Sequence, residues 1–201
     1  MKRFLVALLL LFTLPVLAEN TILIVGDSIS AGYGINPADG WVSLLEQRLK
    51  KENYSYRVIN ASISGDTLSN GLERIPAALQ KYHPQITIIE LGGNDGLRGL
   101  QLVAIKNNLE QIINRVKAAN SKVLVLGMRL PPNYGAAYTQ QFMQIFSALS
   151  ERKDISVVPL FLTGVDDQSP LMQSDGIHPL AMAQPILLNN VWPMLRPLLV
   201  K

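Results

Sequence analysis

The stretch Thr21-Ile22-Leu23-Ile24-Val25-Gly26-Asp27-Ser28-Ile29-Ser30-Ala31-Gly32-Tyr33 opens as an apolar, β-rich run, breaks at Gly26-Asp27-Ser28 and passes into a loop with Gly32 and Gly34. A buried strand ends in this way when it presents a side chain at the edge of a sheet. The side chain presented here is the hydroxyl of Ser28. Serine alone is a poor nucleophile, so its activating base has to be sought elsewhere in the chain.

Outward from this strand, further apolar runs alternate with segments of helical period. Strands are expected at Thr21–Val25, Tyr56–Ile59, Ile86–Leu91, Lys122–Leu126 and Ser156–Leu160. Several are continuously apolar, as in strands covered on both faces. Trp41, Leu44, Leu45 and Leu49 recur at helical spacing, as do Leu102, Ile105, Leu109, Ile112 and Val116. Further helices are expected over about Leu68–Lys81, Ala136–Arg152 and Ala181–Leu198, with Pro185 and Pro193 blurring the limits of the last. This βαβ alternation predicts a three-layer α/β/α, flavodoxin-like fold with a five-stranded parallel sheet of order 2-1-3-4-5 and right-handed crossovers. Open sheets of this kind place their sites outside the carboxyl ends of the strands near the switch point, which here means the loops after strands one, two and three.

The first 18 residues are read separately. Lys2-Arg3, the apolar run Phe4 to Leu14, Pro15 and the Val16-x-Ala18 ending have the three regions of a secretory signal peptide. A retained anchor is the alternative, but the run is short for a span of about 20 residues. The expectation is a leader over 1–18, one domain over 19–201, a periplasmic or secreted location and no stable membrane insertion after cleavage. Cleavage removes Lys2 and Arg3, leaving 16 basic residues against 15 acidic, so the formal charge falls from +3 to +1. No Lys/Arg cluster for nucleic acid is present. Zero cysteines exclude a disulfide framework and a thiolate metal site. Neither metal-ligand spacing nor a Walker A or dinucleotide-binding glycine motif occurs, so no cofactor and no metal is expected. Monomer is the default oligomeric state.

Four loop signals carry chemistry. Gly26-Asp27-Ser28 follows strand one, where Ser28 is either a nucleophile or a plain helix cap. Gly65 lies in Ser62-Ile63-Ser64-Gly65-Asp66-Thr67 after strand two, where it either aims an N–H into a site or makes a turn capped by Asp66 or Thr67. Asn94 follows two glycines after strand three and is either an amide donor to a developing oxyanion or part of an Asn-Asp-Gly turn. Of the two histidines, His83 falls at the amino end of strand three, on the wrong side of the sheet. His178 lies in Asp175-Gly176-Ile177-His178-Pro179, between strand five and the last helix. Asp175 can fold back on one ring nitrogen so that the other takes a serine proton, and it is a better partner than Asp27; the plain alternative is a local cap beside a surface imidazole. All four signals fall on one edge of the expected sheet, which independent turn residues have no reason to do. Together they make a complete acyl-transfer set. The absence of G-x-S-x-G disfavours an ordinary α/β-hydrolase.

GDSIS, SISGDT, GGND and DGIH resemble, in order and spacing, the blocks of the GDSL or SGNH hydrolases, and the likeness runs on through ELGGNDGLRG, KAAN, RLPPNYG and DGIHP. Within that family the chain is similar to the bacterial periplasmic thioesterase, lysophospholipase and arylesterase group. The resemblance implies Ser28 as nucleophile, His178 as base and Asp175 as its partner. It also implies an oxyanion hole from the Ser28 N–H, the Gly65 N–H and the Asn94 side chain, no metal, and hydrolysis of acyl thioesters, lysophospholipids and simple esters. Ile29 departs from the family's leucine, and Pro132 makes a double proline in RLPPNYG. Leu97 and Leu100 after Asn94, with Leu130 and Pro131 after strand four, are either the walls of an acyl pocket or ordinary packing residues. Two other functions remain open: a glycan O-acetylesterase, which needs a short polar pocket, and a non-catalytic lipid- or acyl-binding protein.

Overall fold

Strand β1 (Asn20–Gly26) pairs on one side with β2 (Tyr56–Asn60) and on the other with β3 (Ile86–Glu90), and the sheet continues through β4 (Lys122–Leu126) to β5 (Ser156–Val158). All pairings are parallel, in the order β2-β1-β3-β4-β5 read from the sequence. The computed structural model describes residues 20–166 and 169–201; the leader expected over residues 1–18 lies outside the described residues. The helices are α1 (Ser28–Ala31), α2 (Trp41–Lys51), α3 (Leu68–Tyr82), α4 (Gly93–Leu97), α5 (Leu102–Ala118), α6 (Ala136–Ser147) and α7 (Gln184–Leu195).

The period of two along β1 sorts the core. Ile22 and Ile24 face α2 and α7, packing with Trp41, Leu45, Val191 and Leu195. Leu23 and Val25 face α3, α5 and α6, packing with Leu68, Ile112, Phe142 and Phe146. Each fully buried aliphatic side chain contributes roughly 1.5–3 kcal/mol. That packing holds rigid the strand ends from which the site is built. Register places Gly26 beside Glu90 and Ile24 beside both Asn60 and Ile88, so the carboxyl ends of β1, β2 and β3 come level.

Three limits differ from expectation, each for a local reason. β5 stops at Val158 because Pro159 has no N–H to continue the ladder. α6 ends at Ser147, and the chain tightens to a 3₁₀ turn over Ala148–Glu151. The last helix has 3₁₀ turns at both ends; Pro185 sits in the first turn of α7, where its missing N–H costs nothing, while Pro193 lies inside. No helix among the described residues is long and apolar enough to cross a membrane.

Candidate active site

Ser28 is the first residue of α1, immediately after the cap that ends β1. Asp27 caps that helix, its Oδ1 accepting the Ile29 N–H at 3.1 Å, and Gly32 closes it in the left-handed conformation. A first-turn N–H has no intrahelical acceptor, so the Ser28 amide is left free for another partner. The turn is tied to its neighbours by Asn60 Nδ2, which donates to the Ser30 carbonyl at 2.8 Å.

The loop between β5 and α7 brings the base to this serine. Asp175 Oδ1 accepts the N–H groups of Ile177 and His178 at 2.9 and 3.1 Å, which folds the Asp-x-x-His segment back on itself. Its Oδ2 lies 2.6 Å from His178 Nδ1, and His178 Nε2 lies 2.8 Å from Ser28 Oγ. A carboxylate only accepts, so Nδ1 carries the hydrogen and Nε2 is free to accept the serine proton. Burial raises the Asp175 carboxyl, but the hydrogen bonds from His178 and from the Ile177 and His178 N–H groups outweigh it and bring the pKa down to about 2. Tyr33 packs against the imidazole with ring centroids 4.6 Å apart, and Gln173 Nε2 donates to the Tyr33 carbonyl at 2.8 Å, which anchors this loop to the end of α1. His83 caps α3 at the opposite edge, exposed and away from the site.

Asn94 sits in the first turn of α4. Its Nδ2 donates to Asp27 Oδ2 at 3.1 Å and to the Asp66 carbonyl at 3.0 Å. Asp27 thus has a use that its place in a Gly-Asp-Ser triplet did not disclose: it holds the amide of the residue expected to donate to an oxyanion. Burial pushes the Asp27 carboxyl up to about 6, opposed by the Ile29 N–H and the attraction of His178. Gly65 has a positive φ of 84°, and its carbonyl accepts from Arg98 Nη2 at 2.9 Å. Its segment is fixed by Arg74, which bonds Asp66 Oδ2 and the Ala61 carbonyl, both at 2.6 Å. Thr67, not Asp66, caps α3, in a capping box with Asn70.

Beside the Ser28–His178 pair opens a cavity of about 850 Å³. Leu97, Leu130 and Pro131 line it, together with Ile29, Met128 and Met143, which the sequence did not mark as pocket residues; Leu100 is 40% exposed and is not among the lining residues. Methionines adapt to ligands of varied shape. The loops after β4 and β5, which form two of the walls, are joined by a bidentate Arg129–Asp166 pair at 2.5 and 2.6 Å.

Comparison with known proteins agrees with this geometry. The model of the GDSL-like lipase/acylhydrolase family matches residues 24–183. The chain is 50% identical over 182 residues to the esterase TesA of Pseudomonas aeruginosa, covering 90% of each chain. It is 42% identical over 190 residues to thioesterase 1/protease 1/lysophospholipase L1 of Escherichia coli K12, covering 94% of this chain and 90% of that one. Among solved structures, the psychrotrophic esterase EstA of Pseudoalteromonas sp., inhibited by monoethylphosphonate, superposes with a TM-score of 0.83 at 37% identity, covering 89% of this chain and 98% of that one.

Proposed function

The chain belongs to the GDSL-like lipase/acylhydrolase family and is an esterase, and from that premise we propose that it cleaves acyl thioesters, lysophospholipids and simple carboxylic esters through an acyl-enzyme on Ser28. The observation that carries this reading is the hydrogen-bonded run from Asp175 through His178 to Ser28 beside a roomy, largely apolar cavity. Ser28 Oγ attacks the acyl carbonyl carbon as His178 Nε2 takes its proton, and Asp175 Oδ2 holds the imidazolium in place. The oxyanion is received by the N–H groups of Ser28 and Gly65 and by Asn94 Nδ2. Because both Nδ2 hydrogens are engaged in the free protein, one is exchanged as charge develops; the bond to the neutral Asp66 carbonyl is the weaker of the two. His178 then protonates the leaving thiol or alcohol, and water repeats the cycle on the acyl-enzyme.

The acyl tail is assigned to the cavity walled by Leu97, Leu130 and Pro131. A volume of about 850 Å³ with an apolar lining disfavours the deacetylation of glycans, for which a short polar pocket suffices. Export by the leader over residues 1–18, and a mature monomer, belong to the same reading; N-terminal sequencing and gel filtration of the secreted protein test them. The function itself is tested by Ser28→Ala, which should abolish hydrolysis of acyl thioesters and p-nitrophenyl esters while the fold survives, and by covalent labelling of Ser28 with a fluorophosphonate. A Ser28→Ala protein that retains most of its activity would overturn the reading.

A further inference from the structure

Glu90, the last residue of β3, is fully buried, and the acyl-transfer set described above makes no use of it. We propose that Glu90 is a positioning residue for the nucleophile: its Oε2, lodged against Gly26, holds the backbone on both sides of Ser28 and so sets the directions of Ser28 Oγ and the Ser28 N–H. The inference rests on Ser28 being the nucleophile.

The geometry begins with the sheet. Glu90 and Gly26 are register partners on adjacent parallel strands. A Cβ at Gly26 would meet Glu90 Oε2 at 2.7 Å, Ser30 Cβ at 2.8 Å and Ser62 Oγ at 2.8 Å, so only a glycine there leaves space for the carboxyl. From that space Oε2 accepts the Asp27 N–H at 3.3 Å, the Ser30 N–H at 3.2 Å and the Ser30 hydroxyl at 2.6 Å. Ser30 Oγ also accepts the Trp41 indole N–H at 3.2 Å, so its one hydrogen is committed to Glu90. The clamp thus grips the residue before Ser28 and the residue two after it, and through Trp41 it is braced by α2.

The chemistry of the other oxygen tells which form of the side chain acts. Glu90 Oε1 is buried without a hydrogen-bond partner among the described residues. An ionised carboxylate with an unpartnered, dehydrated oxygen is strongly disfavoured. Burial, and next the Asp27 carboxylate nearby, hold the Glu90 carboxyl well above the usual carboxylate range. The acceptor is therefore the oxygen of a neutral acid, which a glutamine amide reproduces and a shorter aspartate does not, since one methylene fewer withdraws the oxygen by about 1.5 Å.

The experiment compares Glu90→Gln and Glu90→Asp with the wild-type mature protein in three measurements: kcat and KM on a p-nitrophenyl acyl ester, the rate of fluorophosphonate labelling of Ser28, and the thermal midpoint. Glu90→Gln should keep kcat within about threefold, whereas Glu90→Asp should lose about tenfold or more in kcat at unchanged KM, with labelling slowed by the same factor. A Glu90→Asp protein with wild-type kcat, a loss confined to KM, an equal loss in Glu90→Gln, or failure of either variant to fold overturns the proposal, the last by reducing Glu90 to a stability role. If wild-type protein is not labelled at Ser28, it is the catalytic reading that fails; if it is labelled and Glu90→Asp labels equally fast, only the positioning role fails.

Discussion

Asn94 stands between two oxygens that already occupy its amide hydrogens, one on a side chain of the Ser28 turn and one on the backbone of the loop after β2. Its alignment is therefore prepared before substrate arrives. Asn94→Ala should lower kcat by about 10²–10³-fold with little change in KM, read from steady-state kinetics on an ester substrate. At Asp175 the hydrogen bonds that depress the carboxyl to about 2 keep it ionised throughout the working pH range. A depressed carboxyl contributes stability above its ordinary value of 3.8, lost only as pH falls toward 2, so acid loss of activity above pH 4 should not trace to this residue. Asp175→Asn should cost about 10³–10⁴ in kcat, because an amide no longer fixes the tautomer in which Nε2 accepts the serine proton. The sequence was informative about these residues because each lies in a loop with its own turn chemistry. It did not disclose the contacts that Asp27 and Glu90 make across the sheet, with partners 60 or more residues away.

At the scale of elements, the loops owe their precision to short helices and caps that only partly announce themselves. Gly92-Gly93-Asn94-Asp95-Gly96 reads as a turn, yet it winds into α4 after Gly92 takes a φ of 115°. The winding is supported from outside, since buried Asp95 accepts the Leu68 N–H at 2.9 Å and so joins α4 to the start of α3. The Thr67 cap on α3 shares that junction. Thr67→Ala should cost about 1 kcal/mol of stability, measured as a lower urea midpoint at constant slope. Leu130 is both a packing residue, buried in the cluster with Phe142 and occupying the space a Cβ on Gly96 would need, and a wall of the cavity. Leu130→Ala should therefore lower stability by about 2 kcal/mol and shift the ratio of rates toward longer acyl chains in a chain-length series.

For the molecule as a whole, the two carboxyls buried at the Ser28 turn govern the response to pH. Burial raises both Asp27 and Glu90, so between pH 4 and 6, and higher for Glu90, the folded protein holds protons that the unfolded chain has released. Stability then rises as pH falls, by on the order of 3 kcal/mol from Asp27 alone as pH drops from its folded value of about 6 to the ordinary 3.8. Calorimetry should find a higher midpoint at pH 5 than at pH 8, with a smaller difference in Asp27→Asn. By itself the sequence determined the three-layer fold, the strand order and the loops that carry Ser28, Gly65, Asn94, Asp175 and His178. Hydrophobic period, turn residues and the handedness of crossovers are all local, and in a parallel sheet they leave little freedom in where the strand ends fall. The tertiary structure alone decided which atoms meet there: His178 on a hydroxyl 150 positions earlier, Asp27 on Asn94, Glu90 under Gly26, and the methionine-lined cavity between loops. Those contacts depend on packing between distant segments and on the space a missing side chain leaves, and neither quantity has a period or a spacing along the chain.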